Sequence, residues 1–493
     1  MTQRLTVVLA LLTLFIVAAT TSAVAVPERA ADRVRYRVIL DEPQTQMVTI
    51  ELRIPAVTGD AIDFHLPVWR PGKYLVIDPA GTVRDVTART ASGEQLKIEK
   101  IRKSAWRIAP NPNVPVTVRY RVYANSLGDR TRHVDDTHAF LSGSSVFLFA
   151  EALRDAPLEV EIVAPQGWKI ASGLEFAHGS DDTLTAPNYD VLVDSPIEIG
   201  EHEFIRFEAL GKPHDIVIWG DVEFDAEQLV EDFRDIVETQ HAIFGDLPYE
   251  RYVFLIHAGQ GAGGGTEHLN STIMQTSASA LEGSIDNNSS YHRFLGLVSH
   301  EFFHTWNVKQ LRPAGLLPYD YERENYTKLL WVAEGTTSYY DDLTLVRTGV
   351  YSADRYIDIL GGAINGLQGR PGRLVQSLEE SSFDAWIKFN RSTPDDANSQ
   401  ISFYSKGALV SLLLDMELRG ATNNKVSLDT VMKTMYQRFP LSGSGFTPED
   451  LVAVIEELSG TDFDPFFDAY VRGTAELDYA KALAVVGLEP HFR

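Results

Sequence analysis

Between about residues 30 and 210 apolar and polar positions alternate with a period of two. Val34, Tyr36, Val38 and Leu40 alternate with polar neighbours, as do Val48, Ile50, Leu52 and Ile54, and again Val116, Val118, Tyr120 and Val122. A period of two sends every second side chain to one face, so these runs predict strands with one buried face. Arg70-Pro71-Gly72 and Pro110-Asn111-Pro112-Asn113 mark turns between them. Strand after strand predicts a β-sandwich or saddle-like sheet. From about residue 211 the pattern changes. Ile216 to Trp219 and Tyr252 to His257 read as short buried strands. Leu229, Phe233, Ile236 and Val237 fall on one helical face and predict a helix over 226–244. Two more helices are expected at about 291–309 and 326–347, the second ending near Gly349. Beyond 350 the pattern is mostly helical: Leu409, Leu412, Leu413, Met416 and Leu418 form one apolar stretch, and Leu451, Val454, Ile455 and Leu458 another. The expected architecture is multidomain α+β, with an N-terminal β domain (26–210), a mixed unit (211–350) and a helical C-terminal domain (351–493). Polar stretches at 283–290 and 390–400 read as linkers.

A chain of 493 residues exceeds one ordinary core, which supports this division. Its net charge of −24 offers no basic stripe for phosphates, so nucleic acid is not expected as a partner. There is no cysteine, which removes disulfides, thiolate metal sites and cysteine nucleophiles. Residues 1–25 have the layout of a signal peptide: Arg4, an apolar run from Leu5 to Ala19, and the small-residue site Ala23-Val24-Ala25. The expectation is a periplasmic or secreted protein with no membrane contact after cleavage; the alternative is an uncleaved anchor. No later stretch is apolar enough to span a bilayer.

The chemistry lies in the mixed unit. His300-Glu301-Phe302-Phe303-His304 places two imidazoles four residues apart, on one face of a helix, where both reach a single metal ion. Leu295, Leu297, Val298, Phe302 and Phe303 make that helix largely buried, and two buried histidines without partners are costly. Glu301 points toward the same site as a general base. For a third ligand the downstream acids are Glu322, Glu324 and Glu334. The first two sit in a polar loop. Glu334 follows Leu329, Leu330 and Trp331 in an apolar helical run, where a carboxylate needs a positive partner. His300, His304 and Glu334 with an open position form the ligand set of a hydrolytic zinc site, one Zn2+ per chain. Asp341 lies on the Glu334 face of the same helix, either orienting a ligand imidazole or facing solvent. Lys309 and Arg312 read as a solvated face, with a peptide carboxylate as the other possibility.

Gly259, Gly261 and Gly264 match G-x-G-x-x-G after a strand, but a dinucleotide site needs a helix to begin there. Thr266 to Ile273 reads as extended instead. The glycines, Gly264 and Gly265 among them, are expected to let a ligand backbone approach closely. A peptide could then lie along the segment up to Thr266 as an added strand.

Gly264-Gly265-Thr266-Glu267-His268, His300 to Lys309 (HEFFHTWNVK), Leu330-Trp331-Val332-Ala333-Glu334-Gly335 and Phe403-Tyr404-Ser405-Lys406-Gly407 together resemble the glycyl aminopeptidase family of zinc peptidases, family M61. Trp69-Arg70-Pro71-Gly72 and Pro371-Gly372-Arg373 fit it more weakly. The likeness runs from about 35 to 490. It implies a thermolysin-like catalytic domain of the gluzincin type, related to the M1 aminopeptidases, between the β domain and the helical domain. It implies a hydrolase that removes N-terminal residues, often Gly or Ala, from peptide substrates. It implies that Glu267 binds the substrate α-amine, the alternative being a solvated loop acid. It implies that Tyr404 hydrogen-bonds the tetrahedral intermediate, the alternative being a core tyrosine. His268 either touches the same pocket or is structural. Two departures are expected: an inserted loop around 312–325 that carries Glu334 further from His304, and no C-terminal PDZ-like domain. Two other functions compete: a zinc endopeptidase, and an inactive peptide-binding envelope protein.

Overall fold

The computed structural model describes residues 33–259, 263–282 and 289–491. The expected signal peptide and most of the 283–290 linker lie outside the described residues. The N-terminal unit is built on an eight-stranded sheet. Its strands Val34–Ile39, Met47–Ile54 and Val116–Tyr123 are adjacent, with Tyr36 opposite Leu52 and Leu52 opposite Val118. That register stacks the predicted apolar positions on one face, and all of them are buried. A three-stranded sheet and a five-stranded sheet complete the unit. The latter carries His138–Leu141 beside Ile197–Gly200.

A second five-stranded sheet begins with the hairpin Glu203–Ala209 and Lys212–Trp219, so the mixed unit takes in residues ahead of 211. Tyr252–Ala258 and Ser271–Thr276 continue it in parallel, and Gly264–Glu267 pairs antiparallel with Ser271–Thr276 as the edge strand. The glycine-rich turn therefore leads into a strand and not a helix. Helix α1 (Ala226–Phe244) matches its predicted span. Asp225 caps its start by accepting from the Glu227 and Gln228 amides, and Gly245 ends it at φ 95°.

Helix α2 (Ser289–Phe303) carries His300 and Glu301, and His304 follows in the turn that ends it. The expected helix over 326–347 starts later. It opens as a π-helical turn over Trp331–Thr336 and continues as α3 (Thr337–Thr348), with Gly349 at φ 86° as its stop. The π turn is a departure that apolar spacing does not encode; such turns cluster at functional sites. Helices α4 (Ala353–Gln368) and α5 (Ser405–Ala421) lead the helical C-terminal region. Among the described residues no helix is long and apolar enough to cross a membrane.

The loop around 312–325 straps the two halves together. Val68 N–H donates to Tyr321 O at 2.9 Å, Trp69 Nε1 to Asp320 O at 2.7 Å, and Arg154 Nη2 to Tyr319 O at 2.7 Å. A second seam is charged: buried Glu198 of the N-terminal unit accepts from His138 Nδ1 (2.8 Å) in its own unit and from His257 Nε2 (2.9 Å) in the mixed unit. Burial pushes Glu198 up, but His138 and His257 outweigh it and hold the carboxyl at about 2.

Candidate metal centre and substrate cleft

Glu334 enters the site because the π turn packs closely on α5. A Cβ on Gly335 would stand 2.5 Å from Phe403 O and 2.6 Å from Gly407 Cα. Only glycine permits this approach, and it also draws Tyr404, just before α5, over the site. Asn307 fastens the other side. Its Nδ2 donates to Val332 O at 2.9 Å and Thr337 Oγ1 at 3.1 Å, locking the turn after His304 to the Glu334 segment.

Glu334 Oε2 lies 3.5 Å from His300 Nε2 and 3.3 Å from His304 Nε2. Two ligands at zinc distances and a tetrahedral angle stand about 3.4 Å apart, so the spacing fits the edges of a zinc coordination polyhedron. The remaining ring nitrogens are engaged: His300 Nδ1 donates to Asp341 Oδ2 at 3.2 Å, and His304 Nδ1 to Asn307 O at 2.7 Å. Both Nε2 lone pairs are thereby free for a cation. Glu301 Oε2 is buried without a hydrogen-bond partner, which suits a water beside such an ion. The donor set fits zinc. Glu322 is not part of it, being paired with His65 Nδ1 and Arg102 Nη1, each at 2.8 Å.

Glu301 has room because residue 265 has no side chain. A Cβ there would stand 2.5 Å from Glu301 Cδ and 2.7 Å from Cγ. Burial pushes the Glu301 carboxyl up to about 7, with His300 and His304 opposing. A divalent cation alongside pulls it back down. Gly264, Gly265 and Thr266 form the edge strand, but part of its bonding capacity is used. Gly265 O accepts from Arg130 Nη2 (2.8 Å) and from Thr266 Oγ1 (2.7 Å).

Glu267 is 5% exposed and lines the same cleft, of about 760 Å³, as Glu301, His300, His304, Glu334 and Tyr404. Glu267, Glu301 and His304 offer polar atoms within 4.8 Å of one another. Burial raises the Glu267 carboxyl, but Lys309, His304 and Arg70 outweigh it and hold it below its ordinary value. Gly72, at φ 80°, stands against it: a Cβ there would meet Glu267 Oε2 at 2.8 Å. Tyr404 is half-buried, its ring stacked near His300 at a centroid distance of 6.1 Å. Burial and Glu334 hold its phenol well above the usual value, so it keeps its proton.

Lys309 and Arg312 depart from the pattern their charge predicts. Neither forms a solvated face: Lys309 is fully buried and Arg312 is 7% exposed. Lys309 Nζ lies 2.7 Å from Asp194 and 3.9 Å from Glu267, so its charge is spent inside the protein. Arg312 lies over the Tyr319 ring at 4.4 Å. His268 is buried, with Nδ1 against Asp194 Oδ1 at 3.3 Å, the structural alternative. Arg130 joins the cleft without a local signal in the sequence, and Gly72, marked there only as part of a turn and of the weaker Trp69–Gly72 likeness, joins it too. Both come from the N-terminal unit, and only distant folding brings them there.

The sequence model of the Peptidase M61 N-terminal domain matches residues 35–201, and that of the M61 glycyl aminopeptidase matches residues 293–410. No match is found among curated protein sequences. The chain is 33% identical to an aminopeptidase N family protein from Idiomarina loihiensis of known crystal structure. That alignment covers 92% of this chain and 78% of the other, with a TM-score of 0.88. An M1 zinc metallopeptidase from Deinococcus radiodurans is 13% identical over 91% of this chain and 95% of its own, with a TM-score of 0.56. A variant of it bound to a Tyr-Ser-Ala substrate gives 13% identity over 91% of this chain and 94% of its own, with a TM-score of 0.54. At that identity the likeness is one of fold.

Proposed function

The chain belongs to the M61 peptidase family and is a metallopeptidase, and from that premise we propose that it is a zinc-dependent aminopeptidase with a thermolysin-like catalytic domain. Its substrates would be peptides with a small N-terminal residue. The observation that carries the reading is the convergence of His300, His304 and Glu334 beside the unpartnered Glu301 oxygen. Those three residues would hold one zinc ion per chain, which would supply a Lewis acid to acidify water and polarise a peptide carbonyl. Glu301 takes the proton from the attacking water and delivers it to the leaving amine. Tyr404 donates its phenolic proton in a hydrogen bond to the developing oxyanion, a role worth about 3–4 kcal/mol. Glu267 receives the α-ammonium and so fixes cleavage after the first residue. Asp341 holds the His300 ring in register. Gly264, Gly265 and Thr266 border the path of the substrate backbone.

An intact Glu301 and a protonated Tyr404 argue against an inactive binding protein, which needs neither. A buried carboxylate at Glu267, able to pair with a terminal ammonium, favours the aminopeptidase over an endopeptidase. Export to the periplasm or medium by way of residues 1–25 belongs to this reading. A panel of fluorogenic Gly, Ala, Leu and Arg amides tests it, run with and without chelator and beside N-acetylated peptides. The expected result is chelator-sensitive release of Gly and Ala with no cleavage of acetylated peptides. Cleavage of acetylated peptides at equal rates would replace it by the endopeptidase reading.

A further inference from the structure

A cavity of about 370 Å³ lies between α3, α4 and α5 and shares Ser338, Asp342 and Ile359 with the catalytic cleft. Its walls are mainly apolar, with Leu360, Leu409 and Leu412 beside the rings of Tyr339 and Tyr356. Ser338 follows Glu334 by four residues, one helical turn, so the cavity mouth opens beside a metal ligand.

The cleft has a direction. Glu267 clusters with His304 and Glu301, while Asp341 hydrogen-bonds His300 on the other flank, with Asp342 next to it. A substrate with its amine at Glu267 and its cleaved bond over the ligand trio continues past His300 toward Asp342. The first side chain beyond the cleaved bond arrives at the cavity mouth.

We propose that this cavity is the specificity pocket for the residue after the cleaved bond, and that it selects a large apolar side chain such as Leu or Phe. The assignment rests on the aminopeptidase reading for its orientation. The apolar walls support an apolar occupant. Arg370, which also lines the cavity, donates to Gln400 O (2.7 Å) and Asp396 O (3.2 Å), which tie its guanidinium to the 396–400 segment. Gly366 lines the cavity too, at an exposed position of α4 where an added Cβ meets nothing within 4 Å, so a larger side chain is accommodated there.

Binding to the zinc-loaded Glu301→Gln protein tests the pocket without requiring turnover. Calorimetry with Gly-Leu amide, Gly-Gly amide and Gly-Lys amide should show the Leu peptide bound about 10-fold or more tighter than the Gly peptide, the discrimination an apolar pocket supplies. Adding Gly366→Leu fills the cavity at a helical position with no neighbour to clash with, and should bring the two affinities within about 3-fold. Ala363→Leu repeats the test from the next turn. Equal affinity for the Leu and Gly peptides, tighter binding of the Lys peptide, or a Leu preference that survives both filling variants overturns the assignment. The aminopeptidase reading fails separately, if N-acetyl-Gly-Leu amide binds as well as Gly-Leu amide.

Discussion

Replacing Gly265 by alanine probes the proposed general base, Glu301, without substituting it. The new methyl carbon would stand 2.5 Å from Glu301 Cδ and 2.7 Å from Cγ, and closer still to Oε1. Carbon contacts become comfortable at about 3.5 Å, so either the carboxylate or the edge strand must retreat by about 1 Å. The strand is pinned by its pairing with Ser271–Thr276 and by the Arg130 bond to Gly265 O, so Glu301 gives way. A displacement of about 1 Å in a positioned catalytic group costs roughly 100-fold in rate. The overpacking itself costs about 1–3 kcal/mol of stability. Steady-state kinetics on a glycine amide, zinc content by mass spectrometry and thermal melting separate these effects. The expected outcome is kcat down about 100-fold with one zinc retained and a folded protein. A variant with wild-type kcat would show that Glu301 does not occupy this position during turnover.

Glu267→Ala should cut kcat/KM on free-amine peptides by about 100-fold or more, on the order of the roughly 3 kcal/mol of a buried charged hydrogen bond, and leave the residual rate indifferent to N-acetylation; equal loss on free and acetylated peptides speaks against amine recognition. Asp341→Asn should weaken zinc binding about 10–100-fold in a chelator competition, since His300 loses its anionic partner, and unchanged affinity would return Asp341 to the role of a surface acid. Glu198 has a depressed carboxyl, so its contribution is present above the ordinary value near 4.5 and is lost as pH falls toward 2. Glu198→Gln should therefore melt below wild type at neutral pH, by an amount on the order of 3 kcal/mol, and the gap should close in acid; a gap independent of pH refutes the assignment. Gly335→Ala should push the π turn off α5, destabilise by about 1–3 kcal/mol and lower kcat through Tyr404, and a fully active, equally stable variant would contradict the close approach.

Features that depend on neighbours along the chain are legible in the sequence. Helix α1 is legible from Asp225, four apolar positions and Gly245, all within one span. The convergence of His300, His304 and Glu334 is legible because the two histidines stand four residues apart and the acid sits in an apolar run, where an unpaired carboxylate would be costly. Lys309 defeats the same logic because charge predicts exposure unless a partner is known, and its partner Asp194 lies 115 residues away. Arg130 is hidden for the same reason, reaching Gly265 across 135 residues. The late start of the Glu334 helix follows from the π turn, whose cause is the meeting of Gly335 with Gly407 and not any local propensity.

The Lys309 ammonium sits between a carboxylate of the N-terminal unit and one in the cleft, at 2.7 Å from Asp194 and 3.9 Å from Glu267. One cation thus serves both the contact between the two units and the charge balance of the cleft. Thermodynamic reciprocity follows: a guest that loads Glu267 redistributes the demand on Lys309, and strain that draws Asp194 away alters the hold on the guest by an equal free energy. If Glu267 holds the substrate, grip on it and cohesion of the two halves share one cation.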